Sequence, residues 1–83
     1  MKYYIVYIEE RNGEREYTFK QLLTLESGVA TKRYLEKYVK DWYPDFSWRN
    51  GEWYYFSSGE VACRLYNYKK LTEEEYNILK KYI

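Results

Sequence analysis

The segment from Ala30 to Trp42 has the pattern of an amphipathic α-helix, and it constrains the fold more than any other part of the chain. With about 100° of rotation per residue, its apolar and aromatic positions gather on one side. The residues that fall in this arc are Thr31, Tyr34, Leu35, Tyr38, Val39 and Trp42. Ser27 or Thr31 could cap the start, and Pro44 ends the helix because the residue before a proline avoids helical conformation. Such a helix predicts a sheet beneath its apolar side.

Two Asn-Gly pairs predict two β-hairpins, because a type I′ turn requires positive φ at both of its central residues. The first pair is Asn12-Gly13, between two segments rich in β-branched and aromatic residues. A two-residue loop there would pair Glu10 with Arg15. It would also set Glu9 against Glu16, a mild repulsion that is tolerable only at an exposed position.

The second pair, Asn50-Gly51, follows the helix and repeats the device. The same register places Trp48 opposite Trp53, one pair away from the tip. Cross-strand aromatic pairs stabilise a sheet by about 0.5–1.5 kcal/mol beyond burial alone. We therefore expect the two indoles to form a pair in the core.

Ser57-Ser58-Gly59 predicts the turn into a fifth strand, and the length of this turn decides which residues share a face. A three-residue loop with Gly59 in the left-handed conformation pairs Trp53 with Cys63. This register gathers apolar residues on one face, namely Phe46, Trp48, Trp53, Tyr55, Val61, Cys63 and Leu65. A two-residue Ser58-Gly59 turn would instead set Arg64 among the tryptophans. The three-residue loop is therefore the favoured prediction.

The chain closes with a short helix that has a clear start signal. Thr72 and Glu75 make a capping box, and Leu71 with Tyr76 makes the hydrophobic staple that accompanies it. The helix would offer the core Tyr76, Leu79, Tyr82 and Ile83. The element order is then β-β-α-β-β-β-α, which predicts a single α+β domain over residues 1–83 with an antiparallel sheet of about five strands and two helices.

Composition argues against several common chemistries. The chain of 83 residues has no histidine and one cysteine, so the commonest general base and zinc ligand is missing and no internal disulfide can form. Cys63 lies in a strand pattern, which favours a small buried hydrophobe over a reactive thiol. We expect no enzymatic activity, no cofactor and no metal. A carboxylate-dependent metal enzyme is the weaker alternative, using Glu9 and Glu10, Asp41 and Asp45, or Glu73, Glu74 and Glu75.

The near-neutral charge and the lack of targeting signals predict an intracellular protein. The formal net charge of +1 gives no global field to attract nucleic acid or an anionic membrane. The single cysteine indicates a reducing compartment, and the start of the chain lacks a signal-peptide pattern. No apolar run approaches the length of about 18 residues that a membrane span needs. We expect a cytoplasmic protein without a membrane partner.

One candidate binding surface combines aromatic rings with an arginine. In the favoured register, Tyr54, Phe56, Arg64, Tyr66 and Tyr68 project away from the tryptophan face. Packing by the first hairpin or by the last helix would make this face core; otherwise its composition is that of a protein interface. We therefore predict a small non-catalytic binding protein that acts on a protein partner. A phage- or mobile-element-type inhibitor of host machinery, such as a defence nuclease, is one such protein.

The charged side of the first helix is the alternative surface. It carries Lys32, Arg33, Lys37 and Lys40, which could follow a phosphate backbone. Glu36 and Asp41 interrupt this side and could pair with the lysines, which favours a simple solvated face. The alternative function is a single-stranded nucleic-acid-binding domain. It would stack bases on tyrosines and hold phosphates on the basic helix face.

Overall fold

The computed structural model describes all 83 residues and confirms the predicted α+β class. The strands are β1 (Lys2–Asn12), β2 (Arg15–Leu25), β3 (Phe46–Asn50), β4 (Trp53–Phe56) and β5 (Val61–Leu71). The helices are α1 (Thr31–Lys40) and α2 (Glu73–Leu79), and a short 3₁₀ turn spans Ser57–Gly59. The strands form one five-stranded antiparallel sheet in the spatial order β2-β1-β5-β4-β3. The element order along the chain is the predicted one.

Helix α1 packs on one side of this sheet, which we call the covered face. Leu35 and Val39 point inward and are fully buried, as the apolar pattern of the segment predicts. The helix starts after Ala30, whose side chain cannot cap, so neither Ser27 nor Thr31 is the N-cap. Two adjoining clusters of buried side chains form the core beneath α1. They are Ile8, Val39, Tyr54, Phe56 and Cys63, and Tyr4, Val6, Leu25 and Leu35.

The first hairpin forms where it is predicted, but its pairing is shifted by two residues. Asn12 pairs with Arg15, so the loop consists of Gly13 and its successor rather than of Asn12-Gly13. Gly13 takes φ +63°, the left-handed region that glycine enters without steric cost. An even shift leaves each side chain on its predicted face and changes only its partner. The expected repulsion between Glu9 and Glu16 is thereby absent, because Glu9 lies opposite a threonine.

Near its tip the second hairpin shows the same shift of two residues, whereas an irregularity between Phe46 and Trp48 pairs Phe46 with Phe56. Asn50 pairs with Trp53, and Trp48 pairs with Tyr55. Trp48 and Trp53 therefore share a face without facing each other. Trp48 is 47% exposed, so the prediction of an indole pair in the core is wrong.

The turn between β4 and β5 changes the faces themselves. Tyr54, not Trp53, lies opposite Cys63, which is one residue away from the predicted register. Because side chains alternate along a strand, a shift of one residue moves all of them to the opposite face. Tyr54 and Phe56 therefore enter the core, while Trp53 and Tyr55 turn away from α1.

Contacts with a distant part of the chain hold this turn. Ser57 and Ser58 both have positive φ, at +52° and +57°, which non-glycine residues adopt rarely. The Ser58 N–H donates to Ser47 Oγ at 2.9 Å, and the Ser57 N–H donates to the Asp45 carbonyl oxygen at 3.2 Å. The Ser57 hydroxyl also donates to the Asp45 carboxylate. These bonds stabilise a four-residue connection from 57 to 60 in place of the predicted three-residue loop.

Helix α2 begins as predicted and ends earlier than expected. The Thr72 hydroxyl accepts the Glu75 N–H at 3.1 Å, and the Glu75 carboxylate accepts the Thr72 N–H at 3.0 Å, so the capping box is confirmed. The helix ends at Leu79. Tyr82 and Ile83 lie beyond it and are exposed, so they do not join the core.

Helix α2 lies against one end of the sheet on the side opposite α1. Its Tyr76 ring is 4.9 Å from the ring of Tyr3, between centroids. Ile5 and Leu71, which belong to the same side of the sheet, are buried. We call the remainder of this side, which no helix covers, the open face.

Candidate functional site

The structure separates the residues predicted as one partner-binding patch, which are Tyr54, Phe56, Arg64, Tyr66 and Tyr68. Tyr54 is 5% exposed and Phe56 is 0% exposed, so both belong to the core. A bulge in β5 turns Tyr68 to the covered face as well, where it is partly exposed. Only Arg64 and Tyr66 lie together on the open face. Three of the five residues therefore lie on the covered face and do not form one surface with Arg64 and Tyr66.

The rings that replace them come from the hairpin of β3 and β4. Trp48 and Tyr55 stack on the open face with their ring centroids 5.1 Å apart and an interplanar angle of 15°. Trp53 lies beside them on the same face. The sequence did contain a signal for this arrangement. The less favoured two-residue Ser58-Gly59 turn sets Arg64 among the tryptophans, as the structure does. The favoured three-residue loop assumes instead that the tryptophans face the core.

Arg64 is fixed in place by carboxylates. Its Nε and Nη2 atoms donate to Glu9 Oε2 at 3.0 and 2.8 Å, and its Nη1 donates to Glu52 Oε2 at 3.2 Å. The bonds to Glu9 raise the pKa of Arg64 above its ordinary value. Glu9 and Arg64 are neighbours on β1 and β5 and are both partly buried. The guanidinium is thus held in one orientation before any partner arrives.

Two arginines lie over the aromatic rings of the open face. The Arg64 guanidinium carbon is 5.1 Å from the Trp53 ring centroid and 5.6 Å from that of Tyr66. The Arg11 guanidinium carbon is 4.7 Å from the Trp53 ring centroid. These are cation–π distances. We call this group the aromatic–arginine patch; its members are Arg11, Trp48, Trp53, Tyr55, Arg64 and Tyr66.

The charges around the aromatic–arginine patch are balanced. Arg11 pairs with Glu16 at 3.4 Å and with Glu9 at 3.8 Å, and Arg64 pairs with Glu9 and Glu52. Each cation of the patch therefore already has a carboxylate within ion-pair distance. A surface of this kind has little attraction for a polyanion.

A polar cluster lies in the core of the covered face. Glu10 is buried, and it accepts hydrogen bonds from the Tyr43 hydroxyl and from the Cys63 thiol, the latter at 3.7 Å. Burial, followed by the neighbouring Glu10 carboxylate, raises the pKa of Cys63 to about 12. The hydrogen bond to Glu10 raises the pKa of Tyr43 to about 12 as well. Cys63 is thus a neutral buried thiol at physiological pH, as its place in the strand pattern predicts.

The basic side of α1 is exposed and differs from the prediction in its pairing. Glu36 pairs with Arg49 of β3 at 3.2 Å, and neither Glu36 nor Asp41 pairs with a cation of the helix. Four cations on this helix therefore have no carboxylate within ion-pair distance: Lys32, Arg33, Lys37 and Lys40. Some of them line a groove between α1 and the hairpin of β3 and β4.

No three His, Cys, Asp or Glu side chains come together in a group that could hold a metal ion. Neither helix has the length and apolar character that crossing a membrane would require. No protein-family model, no curated protein and no solved structure matches this chain.

Proposed function

We propose that the chain is a non-catalytic binding protein that uses the aromatic–arginine patch to bind a protein partner. The observation that carries the proposal is the fixed geometry of rings and arginines on a sheet face that no helix covers. Trp, Tyr and Arg are the residues that most often dominate the binding energy of protein interfaces. Here they are contiguous and already ordered, so little conformational entropy is lost when they bind.

The charge balance favours a protein over a nucleic acid as the partner of this surface. Both arginines of the patch are paired, and Glu9, Glu16 and Glu52 would repel phosphates. The guanidinium groups of Arg11 and Arg64 lie within cation–π distance of the Trp53 ring. They would compete with a nucleic-acid base that stacked on this ring. A protein surface that offers apolar side chains and backbone carbonyls is the better complement.

The proposal extends to the kind of partner. A chain of 83 residues that works by occupying a surface suits an inhibitor of a larger enzyme. A host defence nuclease that a phage or mobile element must block is an enzyme of this class. An interface of standard size buries about 800 Å² on each partner, which the open face of a small sheet can supply.

The test combines capture from the native host with matched variants. The binding partner of the tagged protein is identified by mass spectrometry, and its affinity is then measured for Trp53→Ala, Tyr66→Ala and the control Tyr34→Ala. Tyr34 is an exposed ring on α1, away from the patch. We expect each patch variant to lose about 1–3 kcal/mol of binding free energy and the control to bind normally.

Salt dependence separates this proposal from its alternative, a single-stranded nucleic-acid-binding domain. Affinity for a protein partner at a charge-balanced patch should change little with salt, whereas phosphate contacts weaken steeply. The unpaired cations of α1 are the observation that keeps the alternative in the test. Normal binding by both patch variants, with loss of binding after Glu substitution at Lys32, Arg33, Lys37 and Lys40, would transfer the function to the helix.

A further inference from the structure

A groove with an excess of positive charge lies between α1 and the hairpin of β3 and β4, on the other side of the molecule from the aromatic–arginine patch. Its volume is about 420 Å³, which is within the usual range for small-molecule sites. We call it the basic groove. Its cationic lining consists of Arg33, Lys37, Lys40 and Arg49, and its other charged groups are Glu36 and Asp41.

The cations of the basic groove are available to a ligand. Arg33, Lys37 and Lys40 follow one another at about one helical turn and have no carboxylate within ion-pair distance. Arg49 is paired with Glu36 at 3.2 Å, but both side chains are substantially exposed. Exposed pairs of this kind contribute little to stability, so an incoming anion can compete for Arg49.

Tyr54 gives independent support for a ligand-binding site in the basic groove. It lines the basic groove and also a second cavity of about 340 Å³ on the other side of the Glu36–Arg49 pair. Tyr54 is almost fully buried, and its hydroxyl has no hydrogen-bond partner. A buried polar group without a partner destabilises a fold. Phe56, two residues along the same strand, shows that a phenyl ring suits this face.

The hydroxyl of Tyr54 is suited to donate. Tyrosine keeps its proton at neutral pH, and burial raises the pKa of Tyr54 further above its ordinary value. The Arg49 guanidinium carbon lies 4.9 Å from the centre of the same ring. The hydroxyl oxygen itself is buried, so an acceptor that entered beside Arg49 would reach this neutral donor by displacing the exposed Glu36–Arg49 pair.

We propose that the basic groove binds the phosphate group of a small phosphorylated ligand of about mononucleotide size. The phosphate oxygens would accept from Tyr54, Arg49 and the helix cations, which match the negative charge of a phosphomonoester. Glu36 and Asp41 would accept from hydroxyl or amino groups elsewhere on the ligand. The same carboxylates, with Glu52 at the neighbouring cavity, oppose a long phosphate backbone.

Calorimetric titration of the intact chain tests the proposal with inorganic phosphate, adenosine, adenosine monophosphate and a single-stranded oligonucleotide. Two variants probe the groove: Tyr54→Phe, which removes only the hydroxyl, and the double variant Arg33→Ala/Lys37→Ala. Lys80→Ala/Lys81→Ala, on and beyond the end of α2, removes the same amount of charge outside the groove.

We expect adenosine monophosphate to bind at one site and adenosine to bind much more weakly. Tyr54→Phe should weaken binding of the monophosphate about tenfold without lowering the melting temperature of the free protein. The Arg33→Ala/Lys37→Ala variant should weaken it about tenfold or more, and the control should bind as the parent does. Because Arg33 and Lys37 are exposed, this variant will fold even if Tyr54→Phe does not.

Several results would overturn the proposal. One is the absence of binding by phosphate and by adenosine monophosphate at concentrations of about 1 mM. Another is equal binding by Arg33→Ala/Lys37→Ala and its Lys80→Ala/Lys81→Ala control. A third is adenosine binding as tightly as its monophosphate. Tighter, length-dependent binding of the oligonucleotide to the same groove would show that the ligand is a polymer.

Discussion

Both faces of the sheet carry aromatic rings, and the rings pack against different partners on the two faces. Strand β4 alone sends Tyr54 and Phe56 to the covered face and Trp53 and Tyr55 to the open face. On the covered face the rings pack against α1. On the open face the guanidinium groups of two arginines occupy the position that a helix occupies on the other side.

This difference shows that aromatic content does not identify the core of such a chain. The side chains that pack around the rings identify the core. The covered face contains one buried charged residue, Glu10, and its carboxylate is bonded to Tyr43 and Cys63. The open face carries arginines and glutamates between the rings, and removing those charges from water beneath a helix would cost more than the rings could return.

The largest expected effect is on the free energy of unfolding. It is measured by removing one aromatic ring from each face of the second hairpin. Phe56→Ala should lower the free energy of unfolding by about 3–5 kcal/mol, because it opens a cavity at a fully buried position. Trp48→Ala should cost about 1 kcal/mol or less, since the ring is half exposed and its main contact is Tyr55. Denaturant unfolding at equal protein concentration measures both.

The reverse order of the two effects would show that the open face is the true core. A control for general loss of aromatic surface is available in Tyr34→Ala, an exposed ring on α1. It should leave the unfolding midpoint close to that of the parent.

The elements of the fold could be predicted because their signals are local. The capping box of Thr72 and Glu75, the helical period around Leu35 and Val39, and the glycine of the first hairpin all act within a few residues. Each places an element without knowledge of the rest of the chain. The α+β class and the element order follow from such signals alone.

The candidate site could be predicted only in part, because it depends on register. The β4–β5 turn is held by bonds from Ser57 and Ser58 to Asp45 and Ser47, which precede them by 12 and 11 residues. No local rule contains these partners. The resulting change of one residue in register puts Tyr54 and Phe56 in the core and sets Trp53 beside Arg64, the reverse of the predicted arrangement of the rings.

The next largest effect is a dependence of stability on alkaline pH that arises from the covered face. The pKa of Cys63 is about 12 in the fold and 9.0 in its ordinary environment. The folded state therefore holds a proton that the unfolded state loses above pH 9, and the stability from this group, complete below pH 9, falls as pH rises towards 12. The expected loss is about 1.4 kcal/mol per pH unit in that window.

Cys63→Ser isolates this contribution, because serine has a similar size and does not ionise in this range. The free energy of unfolding should fall less steeply between pH 9 and about 11 for the variant than for the parent. Equal slopes would mean that the thiol reaches solvent. Most other alkaline groups are common to both proteins and cancel in the comparison. Tyr43 is the exception, because the charge on Cys63 contributes to its raised pKa, so the difference between the two slopes includes this coupling.

A smaller effect compares an ion pair from each side of the sheet by double-mutant cycles. The Glu9 and Arg64 side chains on the open face are 17% and 27% exposed, whereas Glu36 and Arg49 beside α1 are 36% and 46% exposed. Alanine cycles should give a coupling energy of about 1 kcal/mol for the first pair and about 0–0.5 kcal/mol for the second. A high salt concentration should reduce the second more, since exposed charges are better screened.

A coupling energy near zero for Glu9 and Arg64 would contradict the view that Arg64 is held in place before binding. The proposed interface would then need to order this arginine when its partner arrives. Equal coupling energies for both pairs would mean that Arg64 and Arg49 are held equally strongly by their carboxylate partners.

The smallest effect tests whether the turn at Gly59 positions Trp48 on the open face. It compares alanine substitutions at two glycines with positive φ, Gly59 and Gly13. A Cβ at Gly59, where φ is +96°, would lie 2.7 Å from Trp48 Cη2, whereas a Cβ at Gly13, where φ is +63°, meets nothing within 4 Å. Both alanine variants should lose about 1 kcal/mol from backbone strain. Gly59→Ala should lose about 0.5–1 kcal/mol more, because the indole must leave its stack on Tyr55.

Unfolding free energies and tryptophan fluorescence distinguish the two variants. Gly59→Ala should change the emission of the folded protein, and Gly13→Ala should not. The larger φ at Gly59 could add strain of its own, so the comparison is repeated in a Trp48→Ala background, where only the strain remains. If the additional loss persists there, Trp48 does not rest on the turn; if it disappears, the turn positions the ring. In that case Gly59→Ala should also weaken partner binding by more than Gly13→Ala does, because it displaces a ring of the aromatic–arginine patch without removing it.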